Sequence, residues 1–274
     1  MIFYVRPSIG RRGGTITEDS FSFAGDYLFA RDEESGDWEL ALLESGTLDW
    51  LTLPGDVDIF LVGAGQDGGD AYWTGAATLD YNDSFINSGA GGAGGRVLTA
   101  SGVTLDGSCA VVVGTDGADS SISCNGRSYT SANGPAPREG GRGAEMRQAT
   151  NSAGTVNNGG VDGVNAYGAP TDETMIPELA GVLYAASGGG GHANNNYGNQ
   201  TWLYVYTDNH GGIDTGGQTG GGKGGGRSHH SGYDAEGYGS GGGGGYGDGA
   251  SHDLGQGGHG SDGIILIRNH REVS

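Results

Sequence analysis

The sequence predicts an all-β protein: a jelly-roll-like β-sandwich with an inserted bundle of polyglycine II helices and long loops. Short apolar runs separated by turn residues fill residues 21–62 and 97–132, as in sandwiches and jelly rolls. Of the 274 residues, 62 are glycine, and roughly half of these lie between 188 and 263. No segment combines helical periodicity with capping residues, which excludes a mainly helical fold.

Ten short segments have the composition of strands, and Pro54-Gly55 is a turn signal between two of them. We expect Val57–Val62 and Ile264–Ile267 to lie together in the core, although about two hundred residues separate them. A short helical turn is expected at Ile176–Leu179. The predicted strands are Phe21–Phe23, Tyr27–Phe29, Trp38–Leu43, Gly46–Leu53, Val57–Val62, Arg96–Thr99, Cys109–Val113, Ser121–Cys124, Arg127–Thr130 and Ile264–Ile267.

The glycine runs are either a flexible linker or an ordered structure that offsets their entropy. Each ordered glycine costs about 0.5–1 kcal/mol relative to alanine. In an extended helix with three residues per turn, the N–H and C=O groups point outward. Glycine chains of this form can therefore pack side by side and hydrogen-bond to one another. Large residues interrupt the runs, and the last run ends in the apolar strand at Ile264, which favours the ordered interpretation. The interrupting residues are Tyr233, Tyr238, Tyr246 and Leu254.

These patterns predict three regions. Residues 1–20 form an N-terminal arm whose small basic cluster fits either a solvated arm or a docking segment. Residues 21–135 together with 263–274 form the β-sandwich. Residues 136–262 form a glycine-rich insertion of polyglycine helices and loops.

A hairpin brings the two cysteines of the chain together. If Asp116-Gly117 forms a two-residue turn, the numbers of cross-strand partners sum to 233, so Cys109 faces Cys124. Directly opposed residues have Cα atoms about 4.5–5.5 Å apart, within the range that a disulfide needs. A reducing cytoplasm would leave the two cysteines as thiols at first. The alternative is a coincidence of two small buried side chains.

Two polar, aromatic stretches, 70–88 and 192–210, interrupt the glycine runs. Tyr, Trp, Asn and Asp together are typical of adaptable recognition surfaces, so we interpret both as exposed binding loops. In the alternative, Leu203 and Val205 mark a hairpin whose aromatic residues are its buried face. The candidate receptor-binding residues are Tyr72, Trp73, Tyr81, Asn82, Asn195, Tyr197, Trp202, Tyr204 and Tyr206.

Charge and motifs exclude several functions. A net charge of −20 argues against nucleic acids and anionic membranes as partners, and no apolar run is long enough to insert in a membrane. His229, His230 and His259 lie near Asp234 in the glycine region, but no catalytic or metal-binding motif accompanies them. We therefore expect no enzymatic activity, no cofactor and no metal site.

A series of short motifs, taken in order, resembles a known group of proteins. The motifs are Ser45-Gly46-Thr47, the strand Val57–Val62 with Gly63-Ala64-Gly65, Gly91–Gly95, Val111–Gly114, Ser128–Gly134 and Gly263–Arg268. This order resembles the glycine-rich proteins of phages and prophages of gut bacteria, which are regarded as tail-fibre or receptor-binding proteins. It is also similar to polyglycine-helix adhesins at phage tail-fibre tips. The tumour-necrosis-factor-like, glycine-rich region of the anaplastic lymphoma kinase receptor has a similar layout.

The resemblance implies a bacteriophage adhesin that presents its loops to a sugar or protein receptor on a bacterial surface for host attachment. It also implies assembly with other tail-fibre or virion proteins, a homotrimer, synthesis in the host cytoplasm and a final place in the virion. The main alternative is a structural fibre or baseplate protein without receptor binding. A surface-polysaccharide-degrading enzyme is a third interpretation.

Overall fold

The fold is all-β, as the sequence predicts. The computed structural model describes residues 15–74, 85–136, 145–147, 163, 174–191, 193–194, 221–225, 229–248 and 254–270. In these ranges two antiparallel five-stranded sheets are accompanied by three single-turn 3₁₀ helices, Glu18–Ser20, Ser131–Asn133 and Pro177–Leu179. The last of these lies at the predicted helical turn. No helix in the described ranges is long and apolar enough to cross a membrane.

Ten of the fifteen strands in the described ranges correspond to the ten predicted strands, in the same order. The other five were not predicted, and two of them, Tyr72–Thr74 and Phe85–Asn87, lie in the stretch 70–88 that was interpreted as a loop. The fifteen strands are β1 (Phe21–Phe23), β2 (Tyr27–Arg31), β3 (Trp38–Leu42), β4 (Gly46–Trp50), β5 (Asp56–Val62), β6 (Tyr72–Thr74), β7 (Phe85–Asn87), β8 (Val97–Thr104), β9 (Ser108–Val112), β10 (Ser121–Cys124), β11 (Arg127–Thr130), β12 (Glu145–Arg147), β13 (Ala193–Asn194), β14 (Gly247–Asp248) and β15 (Ile264–Asn269). The front sheet has the order β1-β4-β9-β10-β11, and the back sheet has the order β2-β3-β15-β5-β8. The jelly-roll connectivity stays a prediction.

The main core lies between the front and back sheets. Leu48, Val111 and Ile122 of the front sheet face Ile59 and Ile265 of the back sheet, and all five are buried. Alternate residues of the front strands are exposed, so this sheet has one face in the core and one in solvent.

The back sheet is covered on its second face as well. Phe60 and Leu266 point away from the front sheet and pack with Ile176, Leu179 and Tyr184. For this reason residues 57–62 and 264–267 are all buried, which confirms that these two strands lie together in the core. The Glu39 carboxylate fixes the covering segment by accepting hydrogen bonds from Thr174 Oγ1 (2.9 Å) and Met175 N (2.7 Å).

The cysteine hairpin has the predicted register. Asp116 and Gly117 both have positive φ (50° and 77°), as a type I′ turn requires. Cys109 pairs directly with Cys124, and their Cα atoms are 4.4 Å apart. The two residues form a disulfide whose side chains lie in the main core.

Two features of the packed chain extend beyond the regions predicted from sequence. Ile16 is buried in the main core, so packing begins inside the segment predicted as an arm. The glycine stretches 64–71 and 89–95 lie within the predicted sandwich region, yet they hydrogen-bond to glycines 242 and 245 of the insertion.

The sandwich has two distinct ends. The turns 32–37, 51–55, 105–107 and 125–126 lie at one end, which we call the base. At the opposite end, three neighbouring strands of the back sheet (β15, β5 and β8) continue directly into glycine stretches. Segments attached to the far ends of these glycine stretches therefore lie on the side of the sandwich away from the base.

Candidate functional site

The glycine stretches form one bundle around a central stretch, residues 240–246. Hydrogen bonds of 2.7–3.0 Å join the backbone of this stretch to six others. The six surrounding stretches are 64–71, 89–95, 185–191, 221–225, 229–235 and 254–262. The central stretch is buried throughout, although its glycines have no side chains to cover it.

The hydrogen bonds of the central stretch repeat every three residues. Its N–H groups donate in turn to three neighbours: Gly241 and Gly244 to 185–191, Gly242 and Gly245 to 64–71, Gly243 and Tyr246 to 229–235. Its carbonyls accept in turn from the other three: Gly241 and Gly244 from 221–225, Gly242 and Gly245 from 89–95, Gly243 and Tyr246 from 254–262. Each neighbour therefore meets every third residue of the central stretch.

Close approach of the backbones explains the glycine composition. At each of the five positions Gly241–Gly245, an added Cβ would lie less than 3.0 Å from a carbonyl oxygen of a neighbouring stretch. Real Cβ atoms essentially never come so close, so a side chain here would force the stretches apart.

Carboxylates complete the hydrogen bonding on one outer face of the bundle. Asp67 accepts a hydrogen bond from Gly260 N (2.8 Å), and Asp70 accepts one from Gly257 N (2.8 Å). Asp234 accepts a hydrogen bond from His259 N at 2.7 Å. Three of the acidic residues in the glycine-rich part of the chain thus accept hydrogen bonds from backbone N–H groups of the stretch 254–262.

The far end of the bundle, which we call the tip, carries two small sheets. Strands β6, β7 and β12 form one, with β7 in the middle, and β13 pairs with β14 in the other. Strand β14 lies beside β7, and β13 lies beside β12. The boundaries of the predicted binding loops, 70–88 and 192–210, meet at the tip. There Ser88 Oγ donates to Gly191 O (2.6 Å), and Ala71 N donates to Gly255 O (2.9 Å).

The tip is where both predicted binding loops leave the bundle. Tyr72 lies in strand β6, and its side chain is 53% exposed at the tip. Trp73 pairs with Ile86 across the β6–β7 ladder. The remaining predicted residues lie outside the described ranges, and their exposure stays a prediction: Tyr81, Asn82, Asn195, Tyr197, Trp202, Tyr204 and Tyr206.

The structure also places residues at the tip that sequence reasoning did not assign to the site. Leu254 is 41% exposed and forms an isolated bridge with Gly247. The rings of His230 and the buried Tyr246 lie 5.1 Å apart, and the exposed His229 stacks on Tyr233 at 4.5 Å. The interruption of glycine runs by Tyr246 and Leu254 was the available signal for these positions.

A serine, a histidine and an aspartate meet near the base, but not as a nucleophilic triad. Both Ser101 Oγ (3.2 Å) and Asp58 Oδ1 (2.7 Å) lie against Nδ1 of His270. Ser101 also donates directly to Asp58. In a catalytic triad the aspartate and the serine bind opposite ring nitrogens, so this histidine is not placed to take a proton from Ser101 through Nε2. In the described ranges no three acidic, histidine or cysteine residues are grouped as metal ligands.

Asp58 makes the stability of the fold depend on pH. Burial raises the pKa of this carboxyl, but hydrogen bonds from Ser101, His270 and Gly102 and the charge of His270 outweigh burial and lower it below 3.8. Arg268 Nε lies 3.8 Å away as well. A lowered pKa in the folded state contributes stability that is present above about pH 4 and lost as the pH falls through the folded pKa.

We expect Asp58→Asn to lower the free energy of unfolding at pH 7 by about 1–3 kcal/mol, because a buried charged acceptor of several hydrogen bonds is replaced by a neutral amide. The same variant should lose less stability than the natural chain between pH 5 and pH 3. Urea denaturation across this range measures both effects, with Asp49→Asn, half-buried on the front sheet, as the matched control. Equal acid sensitivity of the natural chain and Asp58→Asn would contradict this role.

Together these features define an all-β protein in which a sandwich continues into a bundle of hydrogen-bonded glycine stretches. A family model described as "Glycine-rich domain" matches residues 43–270, and the chain belongs to this family. The match includes every stretch of the bundle and the strands β4 to β15. No curated protein and no solved structure matches the chain.

Proposed function

We propose that the chain is a non-enzymatic adhesin of a phage tail fibre, which holds aromatic, asparagine-rich loops against a bacterial surface receptor. The observation that carries the proposal is that loops 70–88 and 192–210 leave the bundle at the same end, far from the base. The described boundaries of two loops that are more than a hundred residues apart in sequence thereby meet at one end of the bundle. The order of sequence motifs that resembles phage tail-fibre proteins supports the same function.

The finer geometry of the bundle belongs to this proposal. We infer that the stretches are polyglycine II helices, because their hydrogen bonds repeat every three residues and join each stretch to its neighbours. Such a bundle would act as a stiff stalk. It would fix the positions at which the loops begin, and preorganisation of this kind favours affinity.

Assembly in the virion would raise a modest affinity. Several copies of one loop surface on a single particle bind with higher avidity than one copy does. The proposal places the chain in the virion after synthesis in the host cytoplasm, as a homotrimer in contact with other tail-fibre proteins. The receptor is a sugar or a protein of the bacterial surface.

Exchange of loops 70–88 and 192–210 for short glycine-serine links should abolish binding of the purified protein to host cells. Tyr72→Ala should weaken binding roughly tenfold, since truncation of an exposed aromatic anchor costs over 1 kcal/mol at many interfaces. Val112→Ala, also at an exposed position but on the front sheet, is the matched control. Fluorescence-based cell binding gives the measurement.

Three outcomes would contradict the adhesin. Full binding after the loop exchange would place the receptor contact elsewhere. A natural chain that is present in particles but binds no host cell would favour the structural virion protein. Cleavage of a surface polysaccharide by the purified chain would favour the enzyme.

A further inference from the structure

We propose that the base is the docking surface for the protein that carries this chain in the virion, and that it receives a basic segment with apolar side chains. The proposal rests on the proposed function and assigns a partner to the end opposite the tip. It names one contact, centred on Leu51 and Leu53.

Large apolar side chains that face solvent concentrate at the two ends of the described chain. Leu51 is 69% exposed and Leu53 is 59% exposed, both at the base, whereas Tyr72 and Leu254 lie at the tip. Val112, on the face of the front sheet, is the remaining large apolar residue with high exposure in the described ranges. Exposure of neighbouring large apolar side chains is typical of contact surfaces.

The two leucines are held in place by the backbone around them. Leu51 N and Thr52 N both donate to the carbonyl of Ser20, at 2.9 and 3.0 Å. Gly55 closes the turn with a φ of 80°, a conformation that other residues rarely adopt. A fixed turn that presents leucines to solvent is suited to insertion into a partner, because little freedom is lost on binding.

The surroundings of the leucines determine the charge of the partner. Exposed carboxylates lie on the same end, in the turn before β1 and in the turn between β2 and β3. They are Glu18, Asp19, Asp32, Glu33 and Glu34. Arg31 lies 3.4 Å from Glu33 and is half-buried. We call these five carboxylates the acidic rim and the two leucines the apolar centre of the base; because both lie at the same end, the base favours a basic partner and repels a second acidic base.

The positions of the chain ends agree with this assignment. Ser20, which follows the first described residues, contacts the Leu51 turn, and His270 N donates to Asp56 O at 3.0 Å. Both ends of the described chain therefore lie at the base, and neither obstructs the tip. A carrier at the base and a receptor at the tip can be bound at the same time.

The test measures how many copies of each variant are incorporated into particles of the phage that encodes the chain. Leu51→Ser with Leu53→Ser, and separately Glu33→Lys with Glu34→Lys, should each reduce the number of copies per purified particle at least tenfold. Both pairs are exposed, so the variants should keep the melting temperature of the natural chain. Val112→Ser and Tyr72→Ala are controls and should be incorporated normally. Binding of the purified leucine variant to host cells should equal that of the natural chain.

Each alternative result is decisive. Normal incorporation of either double variant overturns the proposal, since both the apolar centre and the acidic rim are required. Absence of the natural chain from particles contradicts the proposed function itself, independently of the base. A change from trimer to monomer in the leucine variant, measured by sedimentation, would identify a second copy as the occupant. Loss of melting temperature in that variant would identify a segment of the chain itself, and both results overturn the proposal.

Discussion

Gly243→Val is expected to prevent folding. A Cβ at this position would lie less than 3.0 Å from the carbonyl carbon and oxygen of Lys223. Relief of this clash would move 221–225 away from the central stretch and would break hydrogen bonds in the middle of the bundle. We expect a loss of about 5 kcal/mol or more, a size that few single substitutions reach and that matches the whole stability of many domains.

Circular dichroism and limited proteolysis of the purified variant measure this effect. Ala90→Val is the matched control, because Ala90 lies in the glycine stretch 89–95 and its side chain is exposed. It should fold with nearly natural stability. Near-natural stability of Gly243→Val would mean that the glycine runs behave as a flexible linker, which contradicts the bundle.

The sandwich could be predicted from sequence because its signals are local. Alternation of apolar and polar residues identifies strands such as Ser108–Val112, whose buried and exposed positions alternate in the structure. Asp-Gly and Asn-Gly turns fix the registers on both sides of β10. Each of these signals lies within about twenty residues of its consequence.

The bundle could be predicted only in outline, because glycine carries no information about its neighbour. Backbone donors and acceptors are identical at every position, so the sequence does not indicate that 64–71 bonds to 242 and 245. The result is that a boundary at residue 135 divides a bundle whose stretches come from both sides of it. The packing of Ile176, Leu179 and Tyr184 on the back sheet could likewise not be predicted from sequence, since their partners are distant in the chain.

The residues of the candidate site could be predicted from the composition of the loops, but the place where the loops meet could not. Aromatic and asparagine residues marked loops 70–88 and 192–210, but the meeting of β7 with β14 and of β12 with β13 at one tip depends on how the bundle is assembled. The exposed leucines at the base had no sequence signal at all, because Gly46–Leu53 has the composition of one continuous strand. In the structure β4 ends at Trp50, and the chain then turns out toward solvent.

Reduction of the disulfide between Cys109 and Cys124 is expected to lower the free energy of unfolding by about 3 kcal/mol. The bond closes a segment with a sequence separation of 15, and a cross-link of this length restricts the unfolded chain by about that amount. Reduction leaves both side chains in place in the core, so the change reports the cross-link and not a cavity. A chain made in a reducing cytoplasm would therefore gain stability after release.

Urea denaturation with and without dithiothreitol gives the measurement. The variant with both Cys109→Ala and Cys124→Ala is the control, and its stability should not respond to the reductant. Retention of the β9–β10 register in the reduced protein is expected as well, because the Asp116-Gly117 turn and the pair Val111–Ile122 specify it without the bond. A loss below about 0.5 kcal/mol would mean that this hairpin already restricts the unfolded chain as strongly as the cross-link does.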